Sequence, residues 1–526
     1  MTASVESRLE LVEARRAELS ERRAVQELLI GKDILELLST AMYVEPLTVF
    51  REYVQNAADA IDEARDSGLL TQGQPGRIEI MLDGVARTAV IRDNGIGIGA
   101  ADVERVLTAF GASRKRAKIA RGFRGVGRLA ALGYAQALVF RTKAAGERDI
   151  SEVRWDCRRL KAILLDPAYA GDLGSVVSEV VTIRTLRAPD PAEHFFEVRL
   201  DKVLRIKNDV LLNAEEVRRY LAQVAPAPFM DSFAFKQAIL THIGPYVSED
   251  RFQITINEGS AHLTRPEFGE FEIRKGRQDV ATGVRLVEIK GGDGNVRAVG
   301  WLLEHGFEGA IQGSSDIRGL RARVGNIQIG GDDIFAAIFP ETRFNSWTVG
   351  ELHIVDRSII PNGRRDNFEQ NSAYYQLLSE LIPIGRELAR RCRTSSARRN
   401  RIKMFELRYT RAEELVLTIS QGTLGRNAES AARREVGALL AELERLIGGE
   451  LVTDDDRRPL KRRIDRLRAK VPASGSVARR IDPLSTLPQR KRAVYKEVID
   501  LIYECATNRI AAQALVNRIT ARLSTG

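Results

Sequence analysis

Cysteine and histidine are scarce in this chain of 526 residues, which contains three and five of them. Cys157, Cys392 and Cys505 are far apart and lack metal-ligand spacing, so the sequence predicts neither a disulfide framework nor a zinc site. No run of about 18 apolar residues occurs, and residues 1–23 lack the apolar core of a signal peptide. We therefore expect a cytoplasmic protein in a reducing compartment.

Proline is also infrequent, with 16 residues, whereas 44% of the chain is hydrophobic. This composition excludes wholesale disorder, and the length favours three or four domains. The net charge is +10. A solvated basic surface and a nucleic-acid partner both explain that excess, and both interpretations stay open.

The periodicity predicts an α+β protein in which helices precede hairpin strands, without the strict alternation of a parallel sheet. We expect an N-terminal helix, an α/β-sandwich domain, an α+β middle domain and a helical C-terminal region, at 1–24, 25–195, 196–372 and 373–526. Helices are predicted at 47–66, 101–110 and 129–132. In the sandwich domain, strands are predicted at 78–82, 88–92, 137–142 and 180–184, with a turn at 83–84. In the middle domain they are predicted at 252–256, 284–289, 321–324 and 351–355.

Three polar residues of helix 47–66 share one face. Glu52, Asn56 and Asp59 stand at i, i+4 and i+7, which places two carboxylates and an amide side by side. A solvated face and a functional face are equally compatible with this pattern alone. The sequence that follows favours function.

Two glycine-rich loops come after that helix. Asp93-Asn94-Gly95-Ile96-Gly97 directly follows a strand, where a buried carboxylate can accept from an exocyclic amine and glycines permit close ligand approach. The loop from Gly122 to Gly127 precedes a predicted helix, so its backbone N–H groups can cradle phosphate. It is neither a dinucleotide fingerprint nor a Walker loop, because no βαβ unit surrounds it and no Gly-Lys-Ser/Thr follows.

The helix and the two loops, in this order, resemble the motifs of the GHKL ATPase superfamily, which includes gyrase B, heat-shock chaperones, histidine kinases and MutL. The resemblance covers about residues 25–190 and implies a left-handed α/β sandwich that binds ATP with Mg²⁺. The Ile34–Asn56 stretch is most similar to bacterial heat-shock-chaperone-like members.

The resemblance also implies a role for each motif residue. Glu52 would be the general base, Asn56 the Mg²⁺ ligand and Asp59 a supporting carboxylate. Asp93 would read the adenine amino group, with Gly95 and Gly97 admitting the base. A lid at about 111–127 would complete the site with Ser113, Lys115, Gly122, Phe123, Gly125, Val126 and Gly127.

One expected feature departs from the family. A Gly-Thr pair, whose threonine helps to bind the base, commonly precedes the strand predicted at 180–184. The corresponding pair in this chain is expected to be Ser178-Glu179, which leaves the adenine-side threonine without a counterpart.

The middle domain resembles that of heat-shock chaperones, MutL and MORC-type ATPases. Its segment 359–368 is similar to the chaperone loop that carries a phosphate-sensing arginine. By position Arg365 is the better match and Arg364 the runner-up; a solvated turn is the alternative. An arginine suits this role because it is always charged and binds phosphate bidentately.

The C-terminal region resembles no family that we can name. Leu439, Leu440, Leu443, Leu446 and Ile447 form an apolar stripe suited to packing or dimerisation. The run from Arg457 to Lys470 is strongly basic, which favours a solvated helix face or, alternatively, contact with a phosphate backbone.

The leading hypothesis is an ATP-hydrolysing, chaperone-like conformational switch that forms a homodimer and clamps a protein client. Histidine kinase activity is disfavoured, because the roughly 25 residues before the ATP domain contain no phosphoacceptor histidine. One alternative is a DNA-associated clamp of the MutL or MORC kind. Another is a nucleotide-gated module in stress or phage-defence signalling.

Overall fold

The computed structural model describes residues 45–71, 73–108, 127–188, 190, 192–247, 252–274, 276–422, 424–473, 484–485, 487–506 and 509–524. The described residues up to His305, together with Ala310–Gly385, form one compact unit. Gly306–Gly309 and the residues from Arg386 onward form a second. None of the helices in the described part of the chain has the length and hydropathy that a bilayer crossing requires.

Seven strands of the described first unit form one sheet, in the order β5-β4-β3-β6-β2-β1-β7. Neighbouring strands are antiparallel except β1 and β7, which are parallel. The strands are β1 (Gly76–Asp83), β2 (Thr88–Asp93), β3 (Ala135–Lys143), β4 (Asp149–Asp156), β5 (Val181–Arg187), β6 (Phe195–Val203) and β7 (Phe252–Ile256). Alternating burial along β1 gives the sheet one face toward the core.

Helices pack on that face, and α1 (Thr48–Asp66) carries the predicted polar residues. Its apolar residues recur at helical spacing and are buried, among them Phe50, Val54 and Ile61. The other helices of this layer are α2 (Ala100–Thr108), α3 (Cys157–Leu165) and α4 (Leu173–Val180). The predicted α+β class is thus confirmed, as are the helix at 47–66 and the hairpin of β1 and β2.

Three details of the prediction were wrong. The apolar stretch 129–132 is not a helix, because a short 3₁₀ turn at Gly127–Leu129 passes into turns before β3. Val180 ends α4 instead of starting a strand. Strand 252–256 lies in the first sheet beside β1, so that sheet continues beyond the expected border at 195/196. The placement of strand 252–256 depends on pairing between strands that are distant in sequence, and the periodicity of a strand does not encode which strand it pairs with.

The middle part of the first unit contains a second sheet. Within the described residues its order is β10-β11-β14-β12-β13, and β8 and β9 form a separate hairpin. Two helices precede it, α5 (Ala214–Val224) and α6 (Lys236–Ile243). The strands are β8 (Glu270–Arg274), β9 (Arg277–Val280), β10 (Gly283–Lys290), β11 (Val296–Glu304), β12 (Gly319–Val324), β13 (Ile327–Ile329) and β14 (Val349–Ile354).

A buried charge network fastens this sheet to the end of α5. Glu351 pairs with Arg265 and Arg323, with 2.7 Å between Arg323 Nε and Glu351 Oε1. Burial alone would raise the pKa of Glu351, but the two arginines lower it to about 2. Arg323 Nη2 also donates to the carbonyl of Gln223, 2.7 Å away, and Arg265 Nε donates to that of Ala227 at 2.9 Å. Because α5 contacts α1, this network ties the middle sheet to the helix that carries Glu52.

The second unit is helical, as predicted for the C-terminal region. The apolar stripe at 439–447 packs inside this unit against residues such as Phe405, Leu415 and Ile464. The stripe therefore serves packing within the chain. The helices are α7 (Ser372–Ser420), which begins in the first unit, then α8 (Arg426–Ile447), α9 (Asp454–Ala469), α10 (Gln489–Cys505) and α11 (Arg509–Ser524).

A candidate nucleotide-binding site

The polar face of α1 lies against the rest of the first unit. Glu52 and Asp59 are buried, the former with 5% of its surface exposed, and Asn56 is half-buried. Burying two carboxylates three to four residues from an amide is costly unless each finds a partner. The apolar residues of the helix supply the packing energy that holds it in place, so its polar residues are not needed for packing.

The Glu52 carboxylate faces two arginines and a glycine. Its Oε1 atom is 3.6 Å from Arg51 Nη2 and 3.7 Å from Arg365 Nη1. On another side lies Gly127, where an added Cβ would collide with the carboxylate. The last glycine of the second loop thus contacts the predicted base, and any larger residue would push it away.

Arg365 lies in the segment after β14, and its side chain reaches Glu52 on α1 within the same compact unit. The residue adopts a left-handed backbone with φ of 56°. This unusual conformation is held by the bond from Arg365 N to the Asn362 carbonyl, at 3.1 Å, and from Gly330 N to the Arg365 carbonyl, at 2.9 Å. Arg364 is exposed instead, so the structure brings Arg365, and not the runner-up, to Glu52.

Arg51 fixes this loop from the side of α1. Its Nη2 donates to the carbonyl of Arg364, 2.9 Å away, and its Nη1 lies 3.5 Å from that of Arg365. Our sequence interpretation missed Arg51. Its position next to Glu52 was visible, but its contact is more than 300 residues away along the chain, and local pattern carries no signal for it.

The first glycine loop packs directly onto α1. Asp93 ends β2, is buried, and accepts a hydrogen bond at Oδ1 from Gly95 N at 2.8 Å. Ile96 N donates to the carbonyl of Ala60 on α1, 3.1 Å away. Asp93 and the polar face of α1 therefore border the same space between sheet and helix.

The far end of this loop is anchored to β3. Gly97 has φ of 71°, and an added Cβ there would overlap the carbonyl of Lys143. Only glycine combines this conformation with this contact. Ile98 N donates to the hydroxyl of Thr142 at 2.8 Å, and that hydroxyl donates to the Phe195 carbonyl at 3.0 Å. Thr142 is a second residue that the sequence interpretation missed.

The pair expected on the adenine side was placed on the wrong strand. Asp93 lies between β1, where Ile78 is its register partner, and β6, where Phe196 stands directly opposite it. Ser178 and Glu179 lie on α4, which leads into the far edge strand β5, and Glu179 pairs with Arg159. On β6 the residue opposite Asp93 is therefore Phe196, and neither Ser178 nor Glu179 lies on a strand that pairs with β2.

Arg128 is a further residue that the motifs did not single out. It follows Gly127, its carbonyl accepts from the Tyr53 hydroxyl at 3.0 Å, and burial lowers its pKa. Within the described ranges no carboxylate pairs with its guanidinium. Arg128 is half-buried, and a bound phosphate would supply a negative charge beside its guanidinium.

Six predicted lid residues lie outside the described residues. They are Ser113, Lys115, Gly122, Phe123, Gly125 and Val126. Their roles stay predictions. Of the second loop, the structure describes Gly127 alone, in contact with Glu52.

Asn56 fits the magnesium role that the resemblance implies. Its half-buried amide makes no hydrogen bond to any residue that the structure describes, so its oxygen can accept a ligand. Mg²⁺ in nucleotide sites commonly takes one or two protein oxygens and completes its shell with phosphate and water. One amide one helical turn from Glu52 matches that chemistry.

Residues 44–169 match the family model described as histidine kinase-, DNA gyrase B-, and HSP90-like ATPase. This segment contains α1, the hairpin of β1 and β2, and the Asp93 loop. The sheet with helices on one face agrees with that class. Residues 44–169 therefore belong to a GHKL-type, HSP90-like ATPase domain, and the resemblance inferred from the motifs is confirmed for this segment.

This part of the chain is also similar to curated proteins named chaperone protein HtpG. The chaperone protein HtpG of Geobacter metallireducens is 29% identical over 143 residues, 24% of this chain and 22% of the relative. The chaperone protein HtpG of Nitrosococcus oceani is 32% identical over 164 residues, which are 28% of this chain and 26% of the relative. The chaperone protein HtpG of Halorhodospira halophila is 27% identical over 197 residues, which are 34% of this chain and 30% of the relative. The matched segment thus spans less than a third of each of these relatives.

Proposed function

We propose that this protein binds ATP and hydrolyses it to drive a conformational switch of the chaperone type. The observation that carries the proposal is the proximity of Glu52 on α1 to Arg365, which is distant in sequence but lies in the same compact unit. Hydrolysis needs a base for water and a cation for the γ-phosphate, and these two side chains are 3.7 Å apart. The HtpG relatives support a chaperone-like role.

Glu52 would accept a proton from a water molecule as the water oxygen attacks the γ-phosphorus. The bond from that phosphorus to the bridging oxygen breaks, ADP leaves with the bonding electrons, and inorganic phosphate forms. In the present geometry Arg365 lies within ion-pair range of Glu52. When a γ-phosphate arrives, Arg365 would exchange the carboxylate for phosphate oxygens and leave Glu52 available to the water.

Other residues would hold the nucleotide. Asp93 would accept from the adenine amino group, while Phe196 offers an apolar surface beside it. Arg128 would add positive charge near the phosphates. Mg²⁺, held by Asn56, would neutralise phosphate charge when bound. Lid closure by the segment at about 111–127 would then exclude water from the reacting groups.

Arg365→Ala is expected to lower kcat for ATP hydrolysis about 10- to 100-fold, because it removes charged hydrogen bonds to the γ-phosphate. Steady-state phosphate release measures this. Arg364→Ala is the matched control, since that arginine is the chain neighbour but is exposed. Equal losses in both variants, or none in Arg365→Ala, would reject the assignment of Arg365.

Homodimerisation is supported by an apolar seam on α10. Val494, Val498 and Leu501 are 58%, 40% and 51% exposed, at the alternating spacing of four and three that coiled coils use. We therefore place the dimer contact on this helix, as part of the clamp that would hold a protein client.

Val498→Asp should convert a dimer into a monomer, because the variant puts a charge in the centre of an apolar seam. Sedimentation equilibrium, with and without ATP, measures the mass. Lys496→Asp, on an exposed neighbouring position of the same helix, is the control that should stay dimeric. A wild-type monomer at all concentrations would refute the seam as an interface.

A further inference from the structure

A row of basic side chains runs along one face of α9 in the second unit. Arg458, Arg462, Arg466 and Lys470 follow each other at intervals of four residues, and Lys461 stands beside them. This spacing extends the row about 18 Å along the helix, with each member turned about 40° from the one before it. All five are exposed. They are called the basic row below.

Other arginines of the same helix have partners inside the protein. Arg457 donates to the carbonyls of Ile447, at 3.0 Å, and Val452, at 2.8 Å. Arg463 pairs with Glu406 at 2.6 Å and lies over the Tyr409 ring, 4.3 Å from its centroid. Arg468 pairs with Glu444 at 2.6 Å. These three arginines are accounted for by the fold.

The basic row has no such partners among the residues that the structure describes. In the described part of the chain none of its five members forms an ion pair; Arg466 donates only to the carbonyl of Arg462, at 3.3 Å. Two acids of the helix lie within one turn of the row but pair with other arginines: Asp454 with Arg457 at 2.7 Å and Asp465 with Arg468 at 4.0 Å. Like charges at i and i+4 destabilise a helix slightly, and no ion pair of the row members in the described part of the chain compensates for this.

Packing does not explain the row either. Leu460, Ile464 and Leu467 hold α9 in its unit, and all three lie on the opposite face. After Arg386, arginine and lysine outnumber aspartate and glutamate by almost two to one, whereas the two groups are nearly balanced before it. The excess positive charge of the chain is thus concentrated in the helical region that carries the row.

We propose that the basic row binds the phosphate backbone of duplex nucleic acid. Duplex DNA carries one negative charge per about 1.7 Å of its axis, so a row of four cations that extends about 18 Å and winds gradually around its helix can contact several phosphates. An anionic membrane is the less suitable partner, because interfacial helices insert an apolar face and α9 has its apolar face buried in the protein. This inference is independent of the ATPase proposal.

The test measures binding of the full-length protein to a fluorescent duplex DNA of about 30 base pairs by anisotropy, over about 50 to 200 mM salt. The quadruple variant Arg458→Gln/Lys461→Gln/Arg462→Gln/Arg466→Gln should bind at least about 30-fold more weakly at low salt. The slope of log affinity against log salt should become shallower by about 3 to 4, close to one unit for each lost contact.

A matched control removes the same charge elsewhere. Arg158, Lys161, Arg184 and Arg187 are exposed cations of the first unit, and their replacement by glutamine changes the net charge equally. This control should retain wild-type affinity, and circular dichroism should show both variants folded. Equal losses in the two variants, no DNA binding by the wild type at low salt, or row-dependent binding to phosphatidylserine vesicles without DNA binding would each overturn the proposal.

Discussion

Glu52→Ala is expected to reduce ATP turnover by about 1,000-fold while ATP still binds, because the variant removes the group that accepts the proton from water. The retained affinity has a structural reason. Without the carboxylate, Arg51 and Arg365 lose a negative neighbour at 3.6 and 3.7 Å, and their charges become available to the γ-phosphate. The variant should therefore bind ATP as tightly as the wild type or more tightly.

Single-turnover hydrolysis and titration calorimetry separate the two effects. Glu63→Ala is the matched control, since Glu63 lies on the exposed side of the same helix. Turnover near the wild-type rate in Glu52→Ala would remove Glu52 from the role of base. Loss of ATP binding together with turnover would instead make it a binding or structural residue.

Local spacing was sufficient for the parts of the site that are continuous in sequence. The i, i+4, i+7 pattern placed Glu52, Asn56 and Asp59 on one helix face, and alternation predicted the hairpin that ends at Asp93. These features depend on contacts within about ten residues, where the periods of helix and strand determine which side chains are neighbours.

Contacts between segments that are distant in sequence could not be predicted from the spacing of residues. Besides β1, β2 pairs with β6, about a hundred residues later, and nothing in the alternation of either strand encodes that choice. The expected Ser178-Glu179 pair failed for this reason. The bonds from Arg51 to the Arg364 loop were equally invisible, and the resemblance to a chaperone loop was what pointed to Arg365.

The resulting site depends on α1 as the element shared by its parts. Glu52 meets the middle domain through Arg365, and Ala60 receives the Asp93 loop through Ile96. A nucleotide that fills the space beside this helix would contact both at once. A change at the γ-phosphate could then be transmitted to the middle sheet through Arg365, which is the property required of a switch.

Asp93→Asn is expected to weaken ATP binding by about 100-fold or more, with the fold intact. Asparagine has the same shape, and its Oδ1 can still accept from Gly95 N, so the loop should remain in place. Its other terminal atom becomes an NH₂ donor. This NH₂ group would face the adenine amino group, so two hydrogen-bond donors would oppose each other. The buried base would also lose a charge-assisted hydrogen bond worth about 1.5–3 kcal/mol.

Calorimetry with ATP and ADP measures this loss, which should be similar for both nucleotides because the adenine is common to them. Asp83→Asn is the matched control at the opposite end of the β1–β2 hairpin, where Asp83 Oδ1 accepts from Val85 N and Ala86 N at 2.8 Å. That variant should keep its affinity. If Asp93→Asn bound ATP as the wild type does, the base would have to be read elsewhere, and β6 with Phe196 would be the next place to look.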